Sequence, residues 1–382
     1  MAFSQTSTEK RVFWQIGTMK NKAICTALIS VLIALVLSGC LDFLNSNSGT
    51  VTYEKYPNEI RYTVSYGYFV NCSGSGDYNI KYDCEVPQIM PGGKIISIQI
   101  HDNNYTDKTV ATYNSMKSWN ISSSDDENYD LGITVTIESV SFVVSDLNGA
   151  NASSIQEIAE QHSDLVTQYC QAQSNETMVF INPYDQYVQE NSTGVLNRAG
   201  TNNAFLVAKE LFIWLKENTD YKLHLVGDNN VQPCDVTLQL GTGDCDDLSF
   251  LYMSLCRSVG IPARFIRGFL IEKDDIIPHE WVEIFVGGDI GNSGWIPVEC
   301  AGTASSAETE VNQNFGLETA DHLRLFKDDG SNESLIASIA GLSYVTYGPR
   351  IIEAESFDKV SSYIVLQESE LVIDENGLRS YK

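Results

Sequence analysis

Residues 241–264 read Gly-Thr-Gly-Asp-Cys-Asp-Asp-Leu-Ser-Phe-Leu-Tyr-Met-Ser-Leu-Cys-Arg-Ser-Val-Gly-Ile-Pro-Ala-Arg, and they constrain the chain more than any other stretch. Leu248, Leu251, Leu255 and Val259 recur at helical spacing and predict a helix with one buried stripe. The glycine-flexed loop ahead of them delivers Cys245 to that helix's N-terminal end. Unpaired N–H groups and the positive end of the helix dipole favour a thiolate there, and thiolate is the nucleophilic form of cysteine. Asp244, Asp246 and Asp247 act in the opposite sense, since neighbouring negative charge raises a thiol pKa. In a first helical turn, Asp246 and Asp247 read as capping and dipole-complementing residues.

A sulfur nucleophile needs a base, and the β-rich runs that follow offer one. In Pro278-His-Glu-Trp-Val-Glu-Ile-Phe-Val286, the residues Val282, Ile284 and Val286 alternate with Trp281, Glu283 and Phe285, so His279 faces away from the valines. In Gly294-Trp-Ile-Pro-Val-Glu-Cys300, Ile296 and Val298 face opposite to Trp295, Pro297 and Glu299. Pairing the two strands through the turn at Gly287 to Gly294 puts His279 and Glu299 on one face. Diagonal cross-strand neighbours lie roughly 7–8 Å apart, within reach of two long side chains. The predicted site has Cys245 attacking an acyl carbon, His279 taking and returning the proton, and Glu299 orienting the imidazole.

These blocks resemble the transglutaminase-like superfamily, whose core reads Gly-x-Cys on a helix, Gly-Ile-Pro-Ala-Arg, His-Ala-Trp-x-Glu and Trp-x-Pro-x-Asp. Here they read Gly243-Asp-Cys245, Gly260-Ile-Pro-Ala-Arg264, His279-Glu-Trp-Val-Glu283 and Trp295-Ile-Pro-Val-Glu299, over about a quarter of the chain. The resemblance implies an α+β, papain-like catalytic core with helices packed on an antiparallel sheet, and acyl-transfer chemistry at Cys245. Glu299 stands where aspartate is usual, and Glu280 replaces a small residue. Arg264 is expected in an internal ion pair, and Asn182-Pro-Tyr-Asp-Gln-Tyr-Val resembles the entry to the family's helical half. The oxyanion is expected to meet the Cys245 backbone N–H and an upstream side-chain donor, Gln239 or Tyr221. Trp281 is expected to wall the cleft.

Ahead of that core, Arg61–Tyr68, Lys94–Ile100, Thr109–Tyr113 and Gly132–Val144 alternate or run apolar between Gly, Asn and Asp clusters, and predict a β sandwich. The period changes near Ser153. One helix is predicted from Ile155 towards Cys170, and another through Ala204, Ala208, Leu211, Phe212 and Leu215. Residues 301–313 read as a rim loop. The expected organisation is a leader at 1–40, a tether at 41–50, a β-rich domain at 51–150, the core at 151–305 and a C-terminal extension at 306–382 that completes or covers it.

The N-terminus carries an address. A basic cap at Met19 to Lys22, an apolar run from Ala23 to Leu37 and Leu37-Ser-Gly-Cys40 look like a lipoprotein signal with lipid on Cys40. A membrane anchor is the alternative, for which the run is short. Asn71, Asn104, Asn120, Asn151, Asn175, Asn191 and Asn332 open glycosylation triplets, none of them between Asn191 and Asn332. Together these suggest an archaeal cell surface, a sugar-coated outer domain and a bare catalytic face. The formal charge of −26 argues against nucleic acid as a partner.

Cys72 and Cys84 flank a Gly-Ser-Gly turn and could bridge a hairpin outside the cell. Cys170, Cys234, Cys256 and Cys300 allow three pairings, and Cys256 reads as a small buried apolar group. With no Cys-x-x-Cys or His-Glu-x-x-His pattern, no metal or other cofactor is expected. His101, His162, His224 and His322 read as surface or structural residues. The expected protein is a surface-anchored thiol enzyme acting on amide bonds of proteins or peptides, as a peptidase or hydrolase. Glutamine-to-amine acyl transfer and a non-catalytic binding module are the alternatives.

Overall fold

Period-two burial runs through the long strand Val51–Ser73, where Ile60, Tyr62, Val64, Tyr66, Tyr68 and Val70 are at most 2% exposed. This computed structural model describes residues 7–11, 50–224, 231–338 and 341–382. Apart from Ser7–Arg11, the leader, with Cys40, and nearly all of the tether lie outside the described residues. Val51–Ser73 pairs antiparallel with Glu127–Val140 on one side and Ile351–Ile373 on the other, and Lys94–Ile100 and Arg379–Tyr381 complete a five-stranded sheet. A second sheet runs in the order Ser7–Arg11, Ser343–Tyr347, Tyr78–Glu85, Asn114–Ser123 and Thr106–Val110. The two sheets enclose Tyr78, Ile80, Tyr82, Trp119, Leu131, Ile133 and Val135.

The sandwich expected from residues 51–150 therefore also draws strands from the C-terminus. Residues 306–382, expected as one extension, divide: His322–Lys327 joins the sheet formed by Ala263–Ile271, Ile276–Phe285 and Trp295–Val298, while Ser343–Tyr347, Ile351–Ile373 and Arg379–Tyr381 join the sandwich. Of the strand expected at Thr109–Tyr113, only Thr109 and Val110 are in a strand, Thr106–Val110, and residues 111–113 form a hairpin turn. Val110 pairs with Asn114, and Ala111 and Thr112 take positive φ values of 46° and 60°.

In the other half, helices cover one face of a four-stranded antiparallel sheet ordered Trp295–Val298, Ile276–Phe285, Ala263–Ile271, His322–Lys327. This is the expected α+β arrangement. Helix Gln186–Ala199 starts at Asp185, whose carboxylate accepts the N–H groups of Tyr187 and Val188; Ala204–Asn218 is capped in the same way by Asn203. The expected single helix after Ser153 is two, Ile155–Gln161 and Ser163–Tyr169, broken where His162 leaves helical geometry and its ring meets Phe285. Within the expected rim loop, Ser306 caps a helix, Ala307–Asn314.

Helix Cys245–Ser258 is buried along every face from Leu248 to Arg257, so it forms the centre of the core rather than a one-sided amphipath. Its C-terminal end is bolted by Arg257, which donates to the carbonyls of Ala263 and Gln171 and pairs with Asp328 at 3.2 Å.

The sandwich core continues into the ends of the four-stranded sheet through Phe269, Ile271, Ile276, Leu323 and Leu325. Tyr66 meets Phe269 edge-on at 5.7 Å, and Arg267 pairs with Glu85. The edge strand His322–Lys327 is closed by sandwich residues: Gln88 N–H donates to the Arg324 carbonyl at 2.9 Å, and Asn114 exchanges hydrogen bonds with the Lys327 backbone. Cys72, Cys84, Cys170, Cys234, Cys256 and Cys300 are buried free thiols. Cys72 and Cys84 do not form the possible bridge, and the strands bearing them belong to different sheets rather than one hairpin.

Candidate active site

The loop ahead of Cys245 is fixed from both sides. Helix Cys234–Leu240 ends at Gly241 in the left-handed region, φ 64°, and Thr242–Gly243 pairs in parallel with Asp220–Tyr221. Gly243 is required by packing, since a Cβ there would lie 2.6 Å from the Asp247 Cβ. The fully buried Asp247 carboxylate binds the loop together. It accepts the N–H of Asp244 at 3.1 Å and the N–H and side-chain amide of Gln232, each at 2.7 Å, and its Oδ2 lies 2.8 Å from His224 Nε2. The sequence indicated the cap; it did not reveal His224 and Gln232 as its partners.

Cys245 begins the helix and is half-buried. The backbone of Glu280, the residue following His279, lies close enough to favour the thiolate slightly. Burial pushes the thiol well above its ordinary pKa, and the carboxylates of Asp246, Asp244 and Glu280 push further in the same direction. The helix-terminus thiolate expected from sequence is therefore outweighed in the resting site by desolvation and like charge. Glu280 is 6% exposed, and burial raises its own pKa.

Strand register brings the histidine to the carboxylate. Val282 pairs with Val298 and Ile284 with Ile296, so Glu299, continuing that register, is the diagonal neighbour of His279. His279 Nε2 lies 2.6 Å from Glu299 Oε2. The other carboxylate oxygen accepts the Ala301 N–H at 2.6 Å, and the Glu299 N–H donates to the Asn314 carbonyl. Burial would raise the Glu299 pKa, but His279 and His322 more than offset it and hold the carboxyl well below the usual range. His322, read from sequence as surface or structural, thus lies at the site, with its Nε2 3.4 Å from Glu299 Oε2.

Trp281 is 1% exposed and stacks behind His279, with ring centroids 5.9 Å apart. It walls the histidine from inside the protein rather than from the solvent side. Its Nε1–H donates to Glu318 at 2.8 Å, which opens a buried ion network: Arg324 bridges Glu318 and Glu283, and Glu283 also holds Arg264 at 2.6 Å. The Arg264 guanidinium lies 3.8 Å from the centre of the Trp295 ring. Arg324 and Glu318 were not singled out from the sequence, because their partners lie on other strands.

Of the oxyanion candidates, Gln239 is exposed on the last turn of Cys234–Leu240. Tyr221 pairs with Gly243, and its phenol lies in the field of Cys245, Asp244 and Glu299 while burial raises its pKa first. Cys300 is buried against Lys216 and Ser249. His279, Glu299 and His322 bring their ligand-type atoms within 4.8 Å of one another, a donor set accounted for here by hydrogen bonding.

No curated protein sequence matches the chain. Among solved structures, it is similar to a candidate cysteine protease from Cytophaga hutchinsonii, at 14% identity and TM-score 0.49, over 87% of this chain and all of that one. It is also similar to the ethylmercury-bound periplasmic domain of TgpA from Pseudomonas aeruginosa, at 10% identity and TM-score 0.31, covering 63% and 94% of the two chains. A candidate protease from Parabacteroides distasonis shares 11% identity at TM-score 0.25, covering 58% and 43%. Residues 194–300 match the family model of the transglutaminase-like superfamily, and that segment, which contains Cys245, His279 and Glu299, lies in a transglutaminase-like domain of mixed helices and antiparallel sheet.

Proposed function

We propose that the protein is a surface-anchored thiol enzyme that cleaves amide bonds of proteins or peptides through an acyl-enzyme on Cys245. The observation that carries the reading is the 2.6 Å contact of His279 Nε2 with Glu299, on a strand whose next residue, Glu280, lies beside Cys245. With Nε2 committed to the carboxylate, Nδ1 is the nitrogen that exchanges a proton with the thiol.

Burial and acidic neighbours keep the resting sulfur protonated, so the thiolate forms as its proton passes to His279 during attack. The sulfur adds to the amide carbon, and the developing oxyanion meets the Cys245 backbone N–H and the Tyr221 hydroxyl. The imidazolium returns the proton to the leaving amine as the carbon–nitrogen bond breaks. Water, deprotonated by His279, then releases the acid and restores the thiol. Glu299 holds the ring in one tautomer and stabilises its charged form.

Surface anchoring rests on the leader sequence ending at Cys40. It agrees with the exposure of Asn71, Asn104, Asn120, Asn151 and Asn332 to modification. The test is incubation of the purified protein with an unstructured protein substrate, with and without a primary amine, read by product mass beside Cys245→Ala. New chain ends that require Cys245 support hydrolysis. Amine adducts on glutamine would replace it with acyl transfer, and products identical in the wild type and Cys245→Ala would leave the non-catalytic module.

A further inference from the structure

The third member of the site is a glutamate, whose extra side-chain torsion makes it harder to hold in one place than a shorter carboxylate. Both of its oxygens are nevertheless occupied. Oε1 accepts the Ala301 N–H at 2.6 Å, and Oε2 lies between two imidazoles, 2.6 Å from His279 Nε2 and 3.4 Å from His322 Nε2. His322 is itself tightly held. Its Nδ1 sits 2.9 Å from the Thr319 hydroxyl, 3.1 Å from Asp321 Oδ1 and 3.2 Å from the Thr319 carbonyl, and its ring packs edge-on against Trp281 with centroids 4.8 Å apart. The side chain is 8% exposed.

We propose that His322 is a positioning residue for the reaction: its Nε2–H fixes the Glu299 carboxylate in the one placement from which it can orient His279. The inference rests on the reading of Cys245, His279 and Glu299 as catalytic. His322 begins the strand His322–Lys327, outside the segment matching the family model, so it is a contribution of this chain's fourth catalytic strand. Its neighbours suit a donor. Burial opposes charge on the ring, yet the Asp321 and Glu299 hydrogen bonds lift its pKa to about 10, which keeps a proton on Nε2 at neutral pH. Asp321 faces the ring from the same strand end, and Glu318 adds a further negative charge.

The test compares His322→Ala with His322→Gln, whose amide N–H lies near the lost imidazole Nε2–H, and with His322→Asn, whose shorter donor does not reach. Two quantities are read: kcat and KM for a Cys245-dependent peptide substrate, and the far-downfield proton resonance of His279 Nε2–H. Small losses of alignment cost up to about a hundredfold. His322→Ala and His322→Asn are expected to lower kcat by roughly 10- to 100-fold, with KM changed less than about twofold, and to broaden or lose the resonance. His322→Gln is expected to retain the resonance and stay within about threefold of wild-type kcat.

A wild-type kcat and an unchanged resonance in His322→Ala would overturn the proposal. So would a His322→Gln variant that falls as far as His322→Ala while folding normally. If the wild type shows no Cys245-dependent turnover, the functional reading fails separately, and the resonance still decides the role of His322: its persistence in His322→Ala refutes the role, and its selective loss there supports it.

Discussion

Replacing Arg324 with methionine tests whether the ion network behind Trp281 holds up the site. Arg324 donates to Glu283 at 2.6 Å and to Glu318 at 2.8 Å, and these carboxylates are 2% and 3% exposed. Burial pushes the Glu283 pKa up, but Arg324 and then Arg264 pull it down further, from the usual 4.5 to about 2. A group lowered in this way contributes stability above its unfolded pKa and loses it as pH falls towards its folded one. For Glu283 the contribution is roughly 3 kcal/mol, lost between about pH 4.5 and 2.

Removing one member of a buried ionic set costs about 3–5 kcal/mol, because the partner charge stays buried. Glu283 keeps Arg264, and Glu318 keeps the Trp281 N–H, so the lower half of that range is expected for Arg324→Met. Urea unfolding followed across pH should show the gap from wild type open between about pH 2 and 4.5, then stay level towards pH 7. Adding Glu318→Gln to Arg324→Met should cost less than the sum of the two single changes. A loss below about 1 kcal/mol, or a gap independent of pH, would refute the argument.

Other changes probe the site's parts. Gly243→Ala drives a Cβ against Asp247 and is expected to cost about 1–3 kcal/mol by denaturation and to slow Cys245 chemistry. Glu299→Gln, which replaces one acceptor oxygen with a donor amide, should lower kcat at least about a hundredfold with little change in KM. Tyr221→Phe is expected to reduce kcat about a hundredfold, whereas the exposed Gln239 should tolerate alanine; equal effects in the two variants would remove Tyr221 as the oxyanion donor.

The fold around Cys245 was legible because its signals are local. Helical spacing from Leu248 to Leu255 and alternation through Val282, Ile284 and Ile296 are short-range patterns, and the glycine-rich connection between two sequential strands made the His279–Glu299 diagonal readable. The long pairing of Ile351–Ile373 with Val51–Ser73 was not. That strand is largely exposed and carries little alternation, and its partner lies near the other end of the chain. His322 was missed for the same reason: its strand aligns beside Ala263–Ile271 only through long-range register, with His322 opposite Leu270. The thiol's acidity was misread in balance rather than in kind. Sequence displayed the carboxylates, but only packing revealed burial and the inward-facing Glu280.

The most direct test of the central claim is the rate of Cys245 alkylation by iodoacetamide near neutral pH in the wild type and in His279→Ala. The other free cysteines among the described residues are buried, so intact mass and peptide mapping assign early labelling to Cys245. A sulfur that reacts through its histidine should be labelled at least about tenfold more slowly in the variant. Equal rates in the two proteins would mean that the sulfur and the imidazole do not work as a pair.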